Sequence, residues 1–149
     1  MAPPIPAVGR ILAVDWGELR FGLALSDESQ TIASPLATLT RRAGKRFPMP
    51  AFLALVMEHR PVGLVVGLPL TDRGTEGQSA SQARELAGLL GARTYLPVEL
   101  VDERMTTARA LAAIKEQEGS TRGRREDVDA LAATVLLQHF LETRRNAAP

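Results

Sequence analysis

The chain has 149 residues, 45% of them hydrophobic, 23% charged and 4% aromatic, and a formal net charge of +1. That length suits one domain rather than two fully cored ones, and the ordinary apolar and charged fractions exclude wholesale disorder. Having no cysteine, the chain cannot use a disulfide framework, a thiolate metal site or a cysteine nucleophile.

No apolar run approaches the roughly 18 residues needed to cross a bilayer. The start, Met1-Ala-Pro-Pro-Ile-Pro6, has neither the charged region nor the apolar core of a signal peptide. A cytoplasmic protein is therefore expected. The first eight residues, rich in proline, and residues 146–149 are expected to fray.

In chain order, residues 10–26 (RILAVDWGELRFGLALS) give two apolar runs broken near Gly17 and Glu18. The spacing predicts a hairpin whose first strand is apolar on both faces and hence central. Residues 32–39 offer a third strand, and residues 51–58 a helix after Pro48 and Pro50. Residues 62–68 (VGLVVGL) read as a buried strand running into a loop over 69–77. Residues 79–90 carry Ala80, Ala83, Leu86, Ala87 and Leu90 at helical spacing. A strand over 98–103 follows, then a helix over 107–118 capped by Thr106, and a last helix from about 126 to 144. Three early strands followed by alternating helix and strand predict an α/β domain, with a mixed sheet and helices on both faces.

All of the 18 basic residues except Lys45 and Lys115 are arginines. Arg41, Arg42, Lys45 and Arg46 form one cluster without an intervening acid. Arg122, Arg124 and Arg125 form another, in and just after a stretch holding Gly119, Ser120 and Gly123. Solvated loops would account for both; so would phosphate contact, because the planar guanidinium fork suits phosphate oxygens.

Acids stand where a fold normally avoids charge. Asp15 directly follows Ile11-Leu-Ala-Val14 at the end of the expected central strand. Asp102 and Glu103 end the strand over 98–103, and Asp129 lies in a run that is apolar almost all round and is expected to be buried. A buried carboxylate must be paired, hydrogen-bonded or metal-bound. Turn formation at Asp15, salt bridges from Asp102 and Glu103, and a helix-dipole role for Asp129 are the simpler readings. Parallel strands present their carboxyl ends along one edge, however, and a helix across that edge can add a third carboxylate. Such hard oxygen donors suit Mg²⁺ or Mn²⁺ and two-metal phosphodiester chemistry. His59, expected at a helix end, and His139, late in the last helix, are weak catalytic candidates. Ser26 is not in a nucleophile elbow, and no Walker loop is present.

These strings resemble a known family. Asp15-Trp-Gly-Glu-Leu-Arg-Phe-Gly-Leu-Ala-Leu-Ser-Asp27 and Ala33-Ser-Pro-Leu36 are similar to the opening of the YqgF/RuvX family. Val65-Val-Gly-Leu-Pro-Leu70, Gly74-Thr-Glu-Gly77, Asp102-Glu-Arg-Met-Thr-Thr107 and Val128-Asp-Ala-Leu-Ala-Ala133 follow in that family's order. The resemblance implies an RNase H-like fold related to RuvC. It also implies either Holliday-junction resolution or maturation of the 5′ end of pre-16S ribosomal RNA. It makes Asp15 the first-strand metal ligand, Asp129 the helix ligand and Asp102-Glu103 the source of the central acid. Strand alternation lets at most one of that pair face the metals. Glu103 is favoured by analogy with RuvC-type enzymes, with Asp102 in reserve. The order Leu70-Thr-Asp-Arg-Gly74 departs from the family's usual Asp-Gly, so Arg73 and nearby backbone amides become the candidate phosphate contacts of that loop.

The leading expectation is a metal-dependent endonuclease on pre-ribosomal RNA or a four-way DNA junction, with Arg104 and the two basic clusters on flanking phosphates. Low aromatic content argues against recognition mainly by stacking on single strands. Symmetric junction cleavage would favour a homodimer; trimming one RNA end would not require it. A small-molecule phosphotransferase and a catalytically silent RNA- or protein-binding module are the alternatives.

Overall fold

The computed structural model describes residues 4–17, 19–41, 46–69, 77–103 and 125–147, without the side chains of 125–127 and 147. Five strands form one sheet: β1 (Ile11–Asp15), β2 (Arg20–Ser26), β3 (Ala33–Thr40), β4 (Gly63–Leu68) and β5 (Val98–Asp102). Their order is β3-β2-β1-β4-β5, so β1 is central as its two-sided apolarity predicts. β1 runs antiparallel to β2 and parallel to β4, which runs parallel to β5. The carboxyl ends of β1, β4 and β5 therefore share one edge of the sheet.

Among the described residues, three helices cover the faces: α1 (Met49–His59), α2 (Gln78–Thr94) and α3 (Arg125–Ala147). The expected helix over 107–118 lies outside the described residues. Strand alternation divides the core. Leu12, Val14, Leu64 and Val66 pack with Phe52 of α1 and Ala83, Leu86 and Leu90 of α2. On the other face, Ile11, Ala13 and Val65 pack with Ala133, Leu137, Phe140 and Leu141 of α3. The fold is thus the expected mixed sheet with helices on both sides. At about 25 cal/mol per Å² of buried apolar surface, these two cores are the main source of stability.

Helix ends follow local chemistry. α1 begins behind Pro48 and ends at Arg60 in a left-handed conformation, whose N–H bonds the Val56 carbonyl. α2 outruns its apolar spacing by a turn. Its end is held by Thr94, whose hydroxyl donates to the Leu90 carbonyl at 2.7 Å.

The amino-terminal segment, expected to fray, is instead anchored at Ile5, Pro6 and Gly9. Ile5 is buried against α3, and Gln30 Nε2 donates to the carbonyls of Pro6 and Gly9. Arg144 closes the arrangement by bonding both the Ile5 carbonyl and Gln30 Oε1. These partners are distant in sequence, so composition alone could not reveal the docking. At the other end, Asn146 belongs to α3 rather than to a frayed tail.

Candidate active site

β1 delivers Asp15 to the shared edge. Ile11 and Ala13 face α3, so alternation carries Asp15 to the same side. Its register partner on β2 is Gly22. A Cβ at Gly22 would overlap the backbone carbonyl of Asp129. The missing side chain is therefore what lets α3 press its backbone onto the strand beside Asp15. This approach brings Asp129, more than a hundred residues away in sequence, to the site.

Asp129 is not buried as expected. Its side chain keeps 28% of its exposure at the rim, and Oδ2 accepts a 2.6 Å hydrogen bond from Nε of Arg20. Arg20 sits two residues before Gly22 on β2. It lies inside the first family-like string, yet sequence reasoning gave it no role. A cation on the α3 side of an otherwise apolar strand was the available signal.

Glu103 follows β5 directly. Val101 faces α3, so the alternation that leads to Glu103 keeps it on that side, whereas Asp102 falls on the opposite parity. Glu103 is half-buried, and its Oε1 is sealed from solvent. A Cβ on Gly67 of β4 would stand 2.6 Å from that oxygen and 3.0 Å from Leu136 of α3. Gly67 thus leaves a cradle for the carboxylate between β4 and α3. Asp102 pairs in register with Leu68 and lines a cavity of about 560 Å³ along the outer edge, with Glu99 and His139.

Asp15, Glu103 and Asp129 therefore occupy one side of one sheet edge, though no three His, Asp or Glu groups among the described residues converge tightly enough to grip an ion. The donor chemistry nevertheless fits a hard divalent cation. All three donors are carboxylates, one of them in a cradle that a methyl group would fill, with no imidazole or thiolate among them.

Of the basic candidates, Arg41 follows β3 and its backbone N–H donates to the Leu19 carbonyl at 2.9 Å. Its guanidinium lies 5.7 Å above the Phe21 ring. Arg46 is exposed and lines the same cavity as Arg41. Arg42, Lys45, Arg73, Arg104, Arg122, Arg124 and the side chain of Arg125 lie outside the described residues. His59 is 3.3 Å from Glu58, and His139 is 3.4 Å from Thr143; both belong to their own helices. Asp27, within the first family-like string, caps a turn. Its carboxylate accepts from the backbone N–H groups of Thr31 and Ile32 and from the Ser29 hydroxyl.

A family model described as "RuvX: Holliday junction resolvase" matches residues 9–143. The chain belongs to the RuvX family. RuvX relatives of closely similar length include a protein of Koribacter versatilis, 41% identical over 97% of this chain and 94% of its own. Another, from Nocardioides sp., is 44% identical over 93% and 92%. Each carries the name "Putative pre-16S rRNA nuclease". Among solved structures, Thermus thermophilus RuvC in complex with a Holliday junction substrate superposes with a TM-score of 0.59 at 18% identity, covering 94% of this chain and 98% of that one. The yeast mitochondrial resolvase Ydc2 gives 0.53 at 11% identity, over 96% and 84%. At these identities the structural matches establish the fold, which is RNase H-like. Membership of that family makes this RuvX chain a nuclease, a hydrolase of phosphodiester bonds. None of its described helices is long and apolar enough to cross a membrane.

Proposed function

We propose that this RuvX protein is a divalent-metal-dependent endonuclease that processes the 5′ end of precursor 16S ribosomal RNA in the cytoplasm. The reading is supported by the placement of Asp15, Glu103 and Asp129 on the α3 side of one sheet edge, with Gly22 and Gly67 standing where a side chain would meet the Asp129 backbone and the Glu103 carboxylate. The names of the full-length relatives favour ribosomal RNA as substrate.

Asp15 and Glu103 would hold Mg²⁺ or Mn²⁺ from the sheet, and Asp129 would do so from the helix. Ions held there would supply Lewis acidity for activating water and for stabilising the departing oxygen of a phosphodiester. Glu103 is positioned by its cradle, and Arg20 neutralises and orients the Asp129 carboxylate. Arg41 and Arg46 contribute positive charge beside the edge, favouring phosphate binding without reading bases. Arg73, Arg104, Arg122, Arg124 and Arg125 remain candidates for flanking phosphates, and Asp102 for a supporting acid.

Four-way-junction cleavage is the second reading, favoured by the description of the matching family. It would favour a two-fold homodimer. The deciding experiment offers the protein a precursor ribosomal RNA fragment, a four-way DNA junction and matching linear duplexes, each with Mg²⁺ or Mn²⁺. Mapped cleavage at the precursor's 5′ side supports the first reading. Paired symmetric cuts in the junction alone would replace it with the second.

A further inference from the structure

The face of the sheet opposite α3 holds a feature that phosphodiester cleavage does not require. At the end of β1, directly after Asp15, Trp16 lines a cavity of about 470 Å³ together with Phe21, Phe47, Arg41, Arg46 and Gln82. That size lies within the range of small-molecule sites. The chain has six aromatic residues, and three of them meet here. Phe47 packs edge-on between Phe21, at 4.7 Å, and Phe52, at 5.5 Å, which sets the orientation of this wall. We propose that the cavity receives one unpaired nucleobase of the substrate, next to the phosphate at the carboxylates. The proposal rests on the nuclease reading and adds a single-stranded requirement to it.

The chemistry is that of base recognition. Trp16 and Phe47 offer apolar rings, and Arg41 offers a guanidinium already lying over the Phe21 ring. Aromatic and guanidinium planes are what splayed nucleobases stack upon. Gln82 of α2 supplies both an amide donor and an acceptor, and Glu85 on the same helix adds a carboxylate acceptor. These groups complement the mixed donor and acceptor edges of a base. Arg46, exposed at the cavity, suits the adjoining phosphate.

Position commits the occupant. Asp15 lies on the α3 side, whereas Trp16 packs with the core of the opposite side, and their α-carbons are one peptide apart. A strand crossing this edge with one phosphate at Asp15 brings a neighbouring base over the cavity. A base held inside a duplex has both faces covered and could not enter. The occupant is therefore unpaired, as in a tail, a bulge or the branch of a folded RNA.

The test uses labelled duplexes of one sequence, blunt or carrying a short unpaired tail, bound in Ca²⁺ so that affinity is read apart from cleavage. The tail should tighten binding by about tenfold, in line with base–aromatic stacking. It should also quench the emission of Trp16, the chain's one tryptophan. Trp16→Ala should erase the tail's advantage and leave blunt-duplex affinity unchanged. Leu89→Trp provides a second variant. Leu89 is 45% exposed and lines the same cavity, so the larger ring should obstruct it without disturbing the core. Loss of tail preference in Leu89→Trp supports the proposal even where Trp16→Ala fails to fold. Equal wild-type affinity for tailed and blunt duplexes, or equal weakening of both by either folded variant, would overturn it and leave the nuclease reading standing. Failure to bind any nucleic acid would end both.

Discussion

Single carboxylates in this protein do different work according to what surrounds them. On the proposed reading, Asp15 and Asp129, brought together across the Gly22 contact, act through one centre, so Asp15→Asn should cut nuclease activity about 100-fold or more, with folding retained on circular dichroism. Asp129→Asn should lose activity similarly, and the double variant should cost little beyond either one, because groups acting through one centre are non-additive. Additive losses in the measured rates would separate the two residues. Asp27, by contrast, is held below the ordinary aspartate value of 3.8 by the backbone N–H groups of Ile32 and Thr31, with a further contribution from Ser29. A depressed folded-state pKa stabilises above the unfolded value, and that stability is lost as pH falls through the folded one. Asp27→Asn should therefore lower the melting temperature modestly at neutral pH, keep normal cleavage, and approach wild type at acid pH, as Asp27 itself becomes protonated. A melting series across pH checks the sign.

Between elements, two glycines govern how close the site residues can come, and they should fail differently. A Cβ at Gly22 meets the α3 backbone, which cannot move without displacing the helix. Gly22→Ala should cost about 1–3 kcal/mol in chemical denaturation and lower activity as well. At Gly67 the nearest atoms are the ends of the Glu103 and Leu136 side chains. Gly67→Ala should therefore cost under about 1.5 kcal/mol, because those ends can shift, while activity falls sharply as the Glu103 carboxylate leaves its cradle. An active Gly67→Ala protein would remove Glu103 from the site. Arg20 belongs to this scale too: it ties the start of β2 to α3 through Asp129, but both side chains keep about 30% of their exposure. Its effect on stability is accordingly small beside its effect on carboxylate orientation.

Across the whole molecule, the sheet separates two surfaces that meet at one edge. The acids lie on the α3 side; Trp16, Arg41 and Arg46 line a cavity on the other. With a net charge of only +1, long-range attraction for nucleic acid has to come from local clusters rather than overall charge. Replacing Arg41, Arg42, Lys45 and Arg46 by glutamine should weaken binding with little loss of stability. If all four touch phosphates, the slope of log binding constant against log salt on duplex DNA should fall by about 3–4 units. An unchanged slope in a salt titration would shift the phosphate contacts towards Arg122, Arg124 and Arg125.

Periodicity alone determined the central place of β1, the strand and helix types of the described elements, and the α/β layering, because each depends on which side of a repeating backbone is apolar. The ordered strings from Asp15 to Ala133 likewise carried the family. Other features depended on distant approaches. The burial of Ile5 beneath α3, the Arg20–Asp129 pair and the Gly67 cradle each join residues from separate segments. Aromatic scarcity argued against base stacking, yet folding gathers Trp16, Phe21 and Phe47 around one cavity. Composition counts side chains without their separations, whereas stacking and carboxylate clustering act over only a few ångströms. Only the tertiary structure determines which residues come that close.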